Sequence, residues 1–132
     1  MKFLIDTNIA IHARDGFEPV LDRLGRHEGV VFLSALSLAE LQRGLYATGA
    51  DSPLRQARLR KILQTIPVLA FDATAAETYG QIIAQIGWAR RRDFDRLIAA
   101  HALATACTLV TANSQDFSDI PGLALENWTL AA

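Results

Sequence analysis

Four acidic residues, Asp6, Glu40, Asp95 and Asp116, come from separate stretches of the chain that a sheet would bring together. Asp6 follows the apolar run "FLI" directly, and a carboxylate in apolar surroundings costs several kcal/mol unless something compensates it. Either Asp6 caps a helix or it holds a cation. Glu40 lies in "SLAELQRG", Asp95 in "DRLIAAHAL" and Asp116 in "TANSQDF". Each has a plain alternative: Asp95 on a helix dipole, Asp116 in a turn, Glu40 paired with Arg43 three residues on. Four acids brought together repel one another unless a cation neutralises them. An all-oxygen set of that kind suits Mg²⁺ or Mn²⁺ rather than zinc. "RRRDFDRLIAA" offers Asp93 as well as Asp95; helical spacing puts Asp95 on the face of Ile98, Ala99, Ala102 and Ala106 and leaves Asp93 as a possible N-cap.

The elements that must position these acids are short strands alternating with longer helices. Continuous apolar runs at 3–6, 30–34, 67–71, 107–111 and 123–126 read as strands buried on both faces. Helical patterns fall at 8–14, 17–27, 35–48, 52–65, 73–87 and 95–106. Asp72 is a good N-cap for 73–87, Ser52-Pro53 suits a helix start and Gly49 a helix end. The alternation predicts an α/β fold with a central, mostly parallel sheet of about five strands. In such sheets ligands bind beyond the carboxyl ends of the strands, which is where Asp6 lies.

The 132 residues suit a single domain spanning 1–132. Apolar residues are 51% and charged residues 20%, an ordinary globular balance, and a net charge of −1 leaves any polyanion site to local clusters. The lone Cys107 excludes an internal disulfide and a cysteine-rich zinc site. Neither a signal peptide nor a membrane span is visible, so a cytoplasmic location is expected.

The blocks "LIDTN" (4–8), "SLAELQRG" (37–44), "DRLIAAHAL" (95–103) and "LVTANSQDF" (109–117), with the ending "IPGLALENW" (120–128), resemble the PIN-domain ribonucleases, specifically VapC-type toxins of bacterial toxin–antitoxin pairs. The resemblance spans nearly the whole chain and implies a three-layer α/β/α fold. It implies that Asp6, Glu40, Asp95 and Asp116 form an acidic quartet holding one or two Mg²⁺ or Mn²⁺ ions. On the same basis Thr7, Asn8 and Thr111 would orient carboxylates or waters, while Asn113 would do so or shape the turn. Ala112 stands where relatives often carry Arg, which removes a basic contact there. The implied activity is metal-dependent hydrolysis of RNA, tRNA or rRNA. The implied partners are a cognate antitoxin and a second copy of the chain.

Arg90, Arg91 and Arg92, with Arg96 nearby, precede the Asp95 helix and are candidates for RNA phosphate contact. Arg55, Arg58, Arg60 and Lys61 form a second basic set that suits an ordinary exposed face. Trp88 reads as a packed residue before a base-stacking one. Leu36, Leu41, Leu45 and Tyr46 offer core packing or an antitoxin groove. His12, His27 and His101 read as structural or surface residues. A haloacid-dehalogenase-type phosphatase needs an acid two residues after its nucleophile, where this chain has Asn8, and a late Lys, whereas its lysines are Lys2 and Lys61. A catalytically inert binding module would have no use for four intact acids.

Overall fold

The first strand is also the middle of the sheet. In the computed structural model, which describes residues 1–47 and 52–130, β1 (Lys2–Ile5) pairs with β2 (Val31–Ser34) on one side and β4 (Cys107–Val110) on the other. β3 (Val68–Leu69) lies outside β2, and β5 (Leu125–Glu126) outside β4, so the order is β3-β2-β1-β4-β5 with every pair parallel. The helices are α1 (Thr7–Arg14), α2 (Glu18–Arg26), α3 (Ala35–Ala47), α4 (Ser52–Leu63), α5 (Ala73–Ile86) and α6 (Asp93–Ala104). Short 3₁₀ turns occupy Arg90–Arg92 and Ser114–Phe117.

Alternation along the strands divides the core into two layers. Phe3, Ile5, Val31, Leu33 and Val110 pack with Ile9, Val20, Leu41, Leu45 and Leu59 on the side of α1–α4. Leu4, Cys107 and Leu109 pack with Ile82, Ile98, Ala99 and Ala102 on the side of α5 and α6. The small residues Ala99, Ala100 and Ala102 let α6 lie close to the sheet, and all three are buried. This is the three-layer α/β/α arrangement, and both faces of β1 are covered, as its continuous apolar run requires.

Element ends differ from the periodicity reading by a residue or two. Strand β1 stops at Ile5, so Asp6 lies just beyond it; the outer strands β3 and β5 shrink to two residues each. The sixth helix begins at Asp93 and ends at Ala104, and Ala106 takes a left-handed conformation (φ 57°) outside it. Asp72 caps α5 by accepting the Ala75 N–H at 3.0 Å. Gly87 ends that helix at φ 82°, where a side chain would be strained. Gly49 lies outside the described residues.

The register sets Ile5 beside both Leu33 and Val110, so β1, β2 and β4 end together at one rim. The chain leaves β1 toward β2 and returns on the other side through β4. That reversal makes a crevice at the rim between β1 and β4.

Candidate functional site

Asp6 both caps a helix and faces the crevice. Its Oδ1 accepts the Ile9 N–H at 2.9 Å, which starts α1, and its own N–H is tied to the Val110 carbonyl at 3.0 Å. Capping a helix and facing a cation site are therefore compatible for this carboxylate. Only 9% of the residue is exposed. Burial raises its carboxyl pKa, while the Ile9 N–H, the Thr111 hydroxyl and the charge of His12 pull it back down.

Asp95 sits in the first turn of α6 and is pushed up to about 6. Burial is the largest cause, and the charges of Asp116, Asp6 and Glu40 add to it against the opposing Arg92. Three carboxylates from three other elements thus act on a fourth. All four line one open cavity of about 420 Å³, together with Thr7, Asn8, Asn113 and the apolar Phe94, Ile98 and Phe117.

The outer two acids are held differently. Glu40 accepts the Thr7 hydroxyl at 2.6 Å and lies 3.5 Å from Arg43. Asp116, in the 3₁₀ turn after β4, receives Arg92 twice: Nη1 donates to its carbonyl at 2.9 Å and lies 3.5 Å from its carboxylate. Thr111 is fully buried, and its hydroxyl accepts the Asn113 N–H at 3.0 Å, fixing the turn that carries Asp116.

Asp95, not Asp93, reaches the cavity. The Asp93 carboxylate instead accepts the Tyr79 hydroxyl and, at 3.2 Å, the Trp88 indole N–H, and it does not cap α6. Arg90 and Arg91 are exposed, whereas Arg96 is only 7% exposed. Its guanidinium donates to the Gly87 carbonyl and meets Asp119 at 3.4 Å, so Arg96 is engaged inside the fold and is not available to a phosphate. Trp88 is not packed in the core but lies in solvent. Leu41 and Leu45 are core residues, while Tyr46 is exposed and bonded to Gln56 at 2.7 Å. His27 stacks on Trp128 and meets Phe3 at a tilt, His12 contacts Phe17, and His101 is buried on Ser34 at 2.8 Å. Sequence reading missed the apolar wall of Phe94, Ile98 and Phe117. Its signal was the adjacency of both phenylalanines to an acid.

The donor set is suited to a hard divalent cation: four carboxylates, hydroxyl and amide oxygens beside them, and neither histidine nor cysteine on the lining. Among the described residues no three such groups are drawn into a closed ligand cluster. The carboxylates are near enough to raise Asp95 yet stand apart, as like charges do.

Comparison with known proteins agrees with this arrangement. The family model for the PIN domain matches residues 3–123. A tRNA(fMet)-specific endonuclease VapC of Shigella flexneri is 34% identical, aligned over 98% of this chain and 99% of its own. Ribonuclease VapC2 of Rickettsia felis is 33% identical over 97% and 98%. Among solved structures, VapBC2 of Rickettsia felis bound to a DNA fragment from its promoter superposes with a TM-score of 0.85 at 31% identity, over 97% of this chain and 99% of the other. DNA-bound VapBC of Salmonella typhimurium gives 0.86 at 28%, over 97% and 98%. With the five-stranded parallel sheet and the acidic crevice at its rim, these matches show that the chain belongs to the PIN-domain family, among the VapC ribonucleases.

Proposed function

We infer that this protein is an endoribonuclease, the toxin of a toxin–antitoxin pair, that hydrolyses RNA phosphodiester bonds in the crevice beyond β1 and β4. The observation that carries the reading is the convergence of Asp6, Glu40, Asp95 and Asp116 on one cavity, where three of them raise the pKa of the fourth. PIN nucleases are metal-dependent as a class, and here the four carboxylates are the residues that would hold Mg²⁺ or Mn²⁺. When bound, such an ion lowers the pKa of water, orients it and stabilises a leaving oxygen.

The chain's own residues supply the rest. Thr7 holds Glu40 and Thr111 bonds to Asp6, so two of the acids are kept in place by hydroxyls. Asn8 and Asn113 put amides on the cavity wall, where they can hydrogen-bond a water or a ribose. Phe94, Ile98 and Phe117 add apolar surface to the cavity lining. Arg92 steadies Asp116, and Arg90 and Arg91 stand free for phosphates.

Similarity to the Shigella enzyme favours tRNA as the substrate class. Similarity to the solved VapBC complexes favours a cognate antitoxin as partner, and the family resemblance adds a second copy of the chain as a further proposed partner. Among the described residues no helix is long and apolar enough to cross a membrane. A phosphatase of the haloacid-dehalogenase type is not favoured, because Asn8 cannot serve as an acid.

The test is incubation of the purified protein with total tRNA and ribosomal RNA, in Mg²⁺, Mn²⁺ or EDTA. Asp6→Asn and Asp95→Asn run alongside, with folding checked by circular dichroism. Discrete fragments that require metal and vanish in both folded variants are expected. No cleavage, with no metal binding by calorimetry, would overturn the enzyme reading and leave an inert binding module.

A further inference from the structure

The segment between α5 and α6 displays an indole in solvent, with a half-buried carboxylate bonded to the ring and a buried arginine bonded to the backbone before it. Trp88 is 61% exposed, whereas the chain's other tryptophan, Trp128, is fully buried. The Trp88 N–H donates to Asp93 Oδ1 at 3.2 Å, and the same oxygen accepts the Tyr79 hydroxyl. On the other side the buried Arg96 grips the Gly87 carbonyl and is itself paired with Asp119. With its N–H tied to Asp93, Trp88 still leaves most of the indole open to solvent, and an exposed aromatic ring is a surface that can hold a base by stacking.

Charge says what the ring faces. Arg90 and Arg91 follow it, both exposed and neither in an ion pair among the described residues, on a chain whose net charge is −1. Arg92, the next residue, is bonded to Asp116 on the cavity wall, so the segment is continuous with the crevice. An aromatic face beside unpaired arginines is how single-stranded nucleic acid is held without sequence readout. Paired bases have both faces covered and cannot use it.

We propose that Trp88, displayed beside Arg90 and Arg91, is a stacking platform for an unpaired base of the RNA strand whose backbone enters the acidic crevice. This rests on the nuclease reading for the strand's presence there, and it narrows the substrate to single-stranded or looped RNA.

The probe is a 12-nucleotide single-stranded oligoribonucleotide and its duplex, titrated in Mg²⁺ against the full chain carrying Asp95→Asn so that the strand stays intact. Binding of the single strand should quench tryptophan fluorescence. Trp88→Ala should weaken single-strand binding about five- to 150-fold and leave duplex binding nearly unchanged. Trp88→Phe should keep most of the affinity and lose the quench, which also controls for folding. In the otherwise wild-type chain, Trp88→Ala should raise KM for cleavage with little change in kcat. Unaltered single-strand binding in Trp88→Ala would overturn the platform. So would a Trp88→Ala effect confined to the dimer mass or to inhibition by the antitoxin, which would make this a protein-contact surface. A chain that cuts no RNA but retains the Trp88-dependent quench would keep the platform and defeat the nuclease reading; a chain that cuts RNA at an unchanged KM after Trp88→Ala would do the reverse.

Discussion

The floor and the rim of the crevice hold the same kind of group in opposite ways. On the floor, Asp6 is buried and Asp95 half-buried, neither is in an ion pair among the described residues, and desolvation raises both pKa values. On the rim, Glu40 and Asp116 are 28% and 46% exposed, and each lies 3.5 Å from an arginine, Arg43 and Arg92. Exposed pairs of this type are worth little, about 0–1 kcal/mol. A buried carboxylate without a counter-ion is costly instead. The difference teaches that the floor is where the fold stores an uncompensated demand for positive charge, while the rim can exchange its arginine for water, metal or RNA at small cost.

The floor should therefore dominate activity. Asp6→Asn and Asp95→Asn are expected to lower cleavage by more than about 100-fold, the loss of several kcal/mol of charge stabilisation. Asparagine is as good an N-cap as aspartate, so Asp6→Asn removes the charge and leaves the start of α1 intact. Residual activity near wild type in either variant would erase the distinction. Next come the rim and its support: Glu40→Gln, Asp116→Asn and Thr7→Val should each cost about 10- to 100-fold in metal affinity or rate, read by calorimetry and single-turnover cleavage. Rim losses equal to those of Asp95→Asn would merge the two regions into one.

Stability sharpens the comparison further. Asp95 has a folded-state pKa of about 6 against an ordinary value of 3.8. The folded protein therefore binds its proton more tightly than the unfolded chain does. The stability this contributes is complete below about pH 4 and is lost as pH rises through about 6. The full shift corresponds to about 3 kcal/mol, which partial exposure reduces to about 1–2 kcal/mol. His101, whose pKa burial lowers, works the other way: its contribution is lost as pH falls below its ordinary 6.5. The check is accordingly a difference. Without metal, Asp95→Asn should become more stable than wild type by about 1–2 kcal/mol as pH rises from about 4 to 7, measured by urea unfolding, and saturating Mg²⁺ or Mn²⁺ should remove the advantage. A pH-independent difference would show that Asp95 bears no such load.

The smallest effect belongs to the arginines. Arg43→Ala should change stability by less than about 0.5 kcal/mol, since its side chain is 76% exposed. Arg92→Ala should cost about 1 kcal/mol, because it also removes a charged hydrogen bond to the Asp116 carbonyl. Equal values for the two would mean that Arg92 does not hold the turn.

Much of this was legible along the chain. The apolar run 3–5 ending in Asp6 marked a buried strand with a carboxylate at its end. The spacing of Asp95 with Ile98, Ala99 and Ala102 marked the helix face toward the sheet, and the structure buries those three apolar residues there. Three readings went differently. Arg96 proved buried and Trp88 exposed, the reverse of what each residue type leads one to expect. Asp93 served neither as cap nor as ligand but as the acceptor for Tyr79 and Trp88. For Arg96 and Asp93 the deciding partner lies nine or more residues away: Asp119 and Gly87 for Arg96, and Tyr79, fourteen residues upstream, for Asp93.

What the sequence by itself determined is therefore the periodic part: the alternation of buried strands and helices, the parallel sheet, and the acids Asp6 and Asp95 at element ends. Those follow from local pattern, because hydrophobic period and capping chemistry act within a few residues. Only the tertiary structure decided that β1, β2 and β4 end at one rim, that four carboxylates share one electric field, and which arginines remain free. Charge interactions and burial depend on distance in space, and a linear pattern carries that distance only after the sheet order is known.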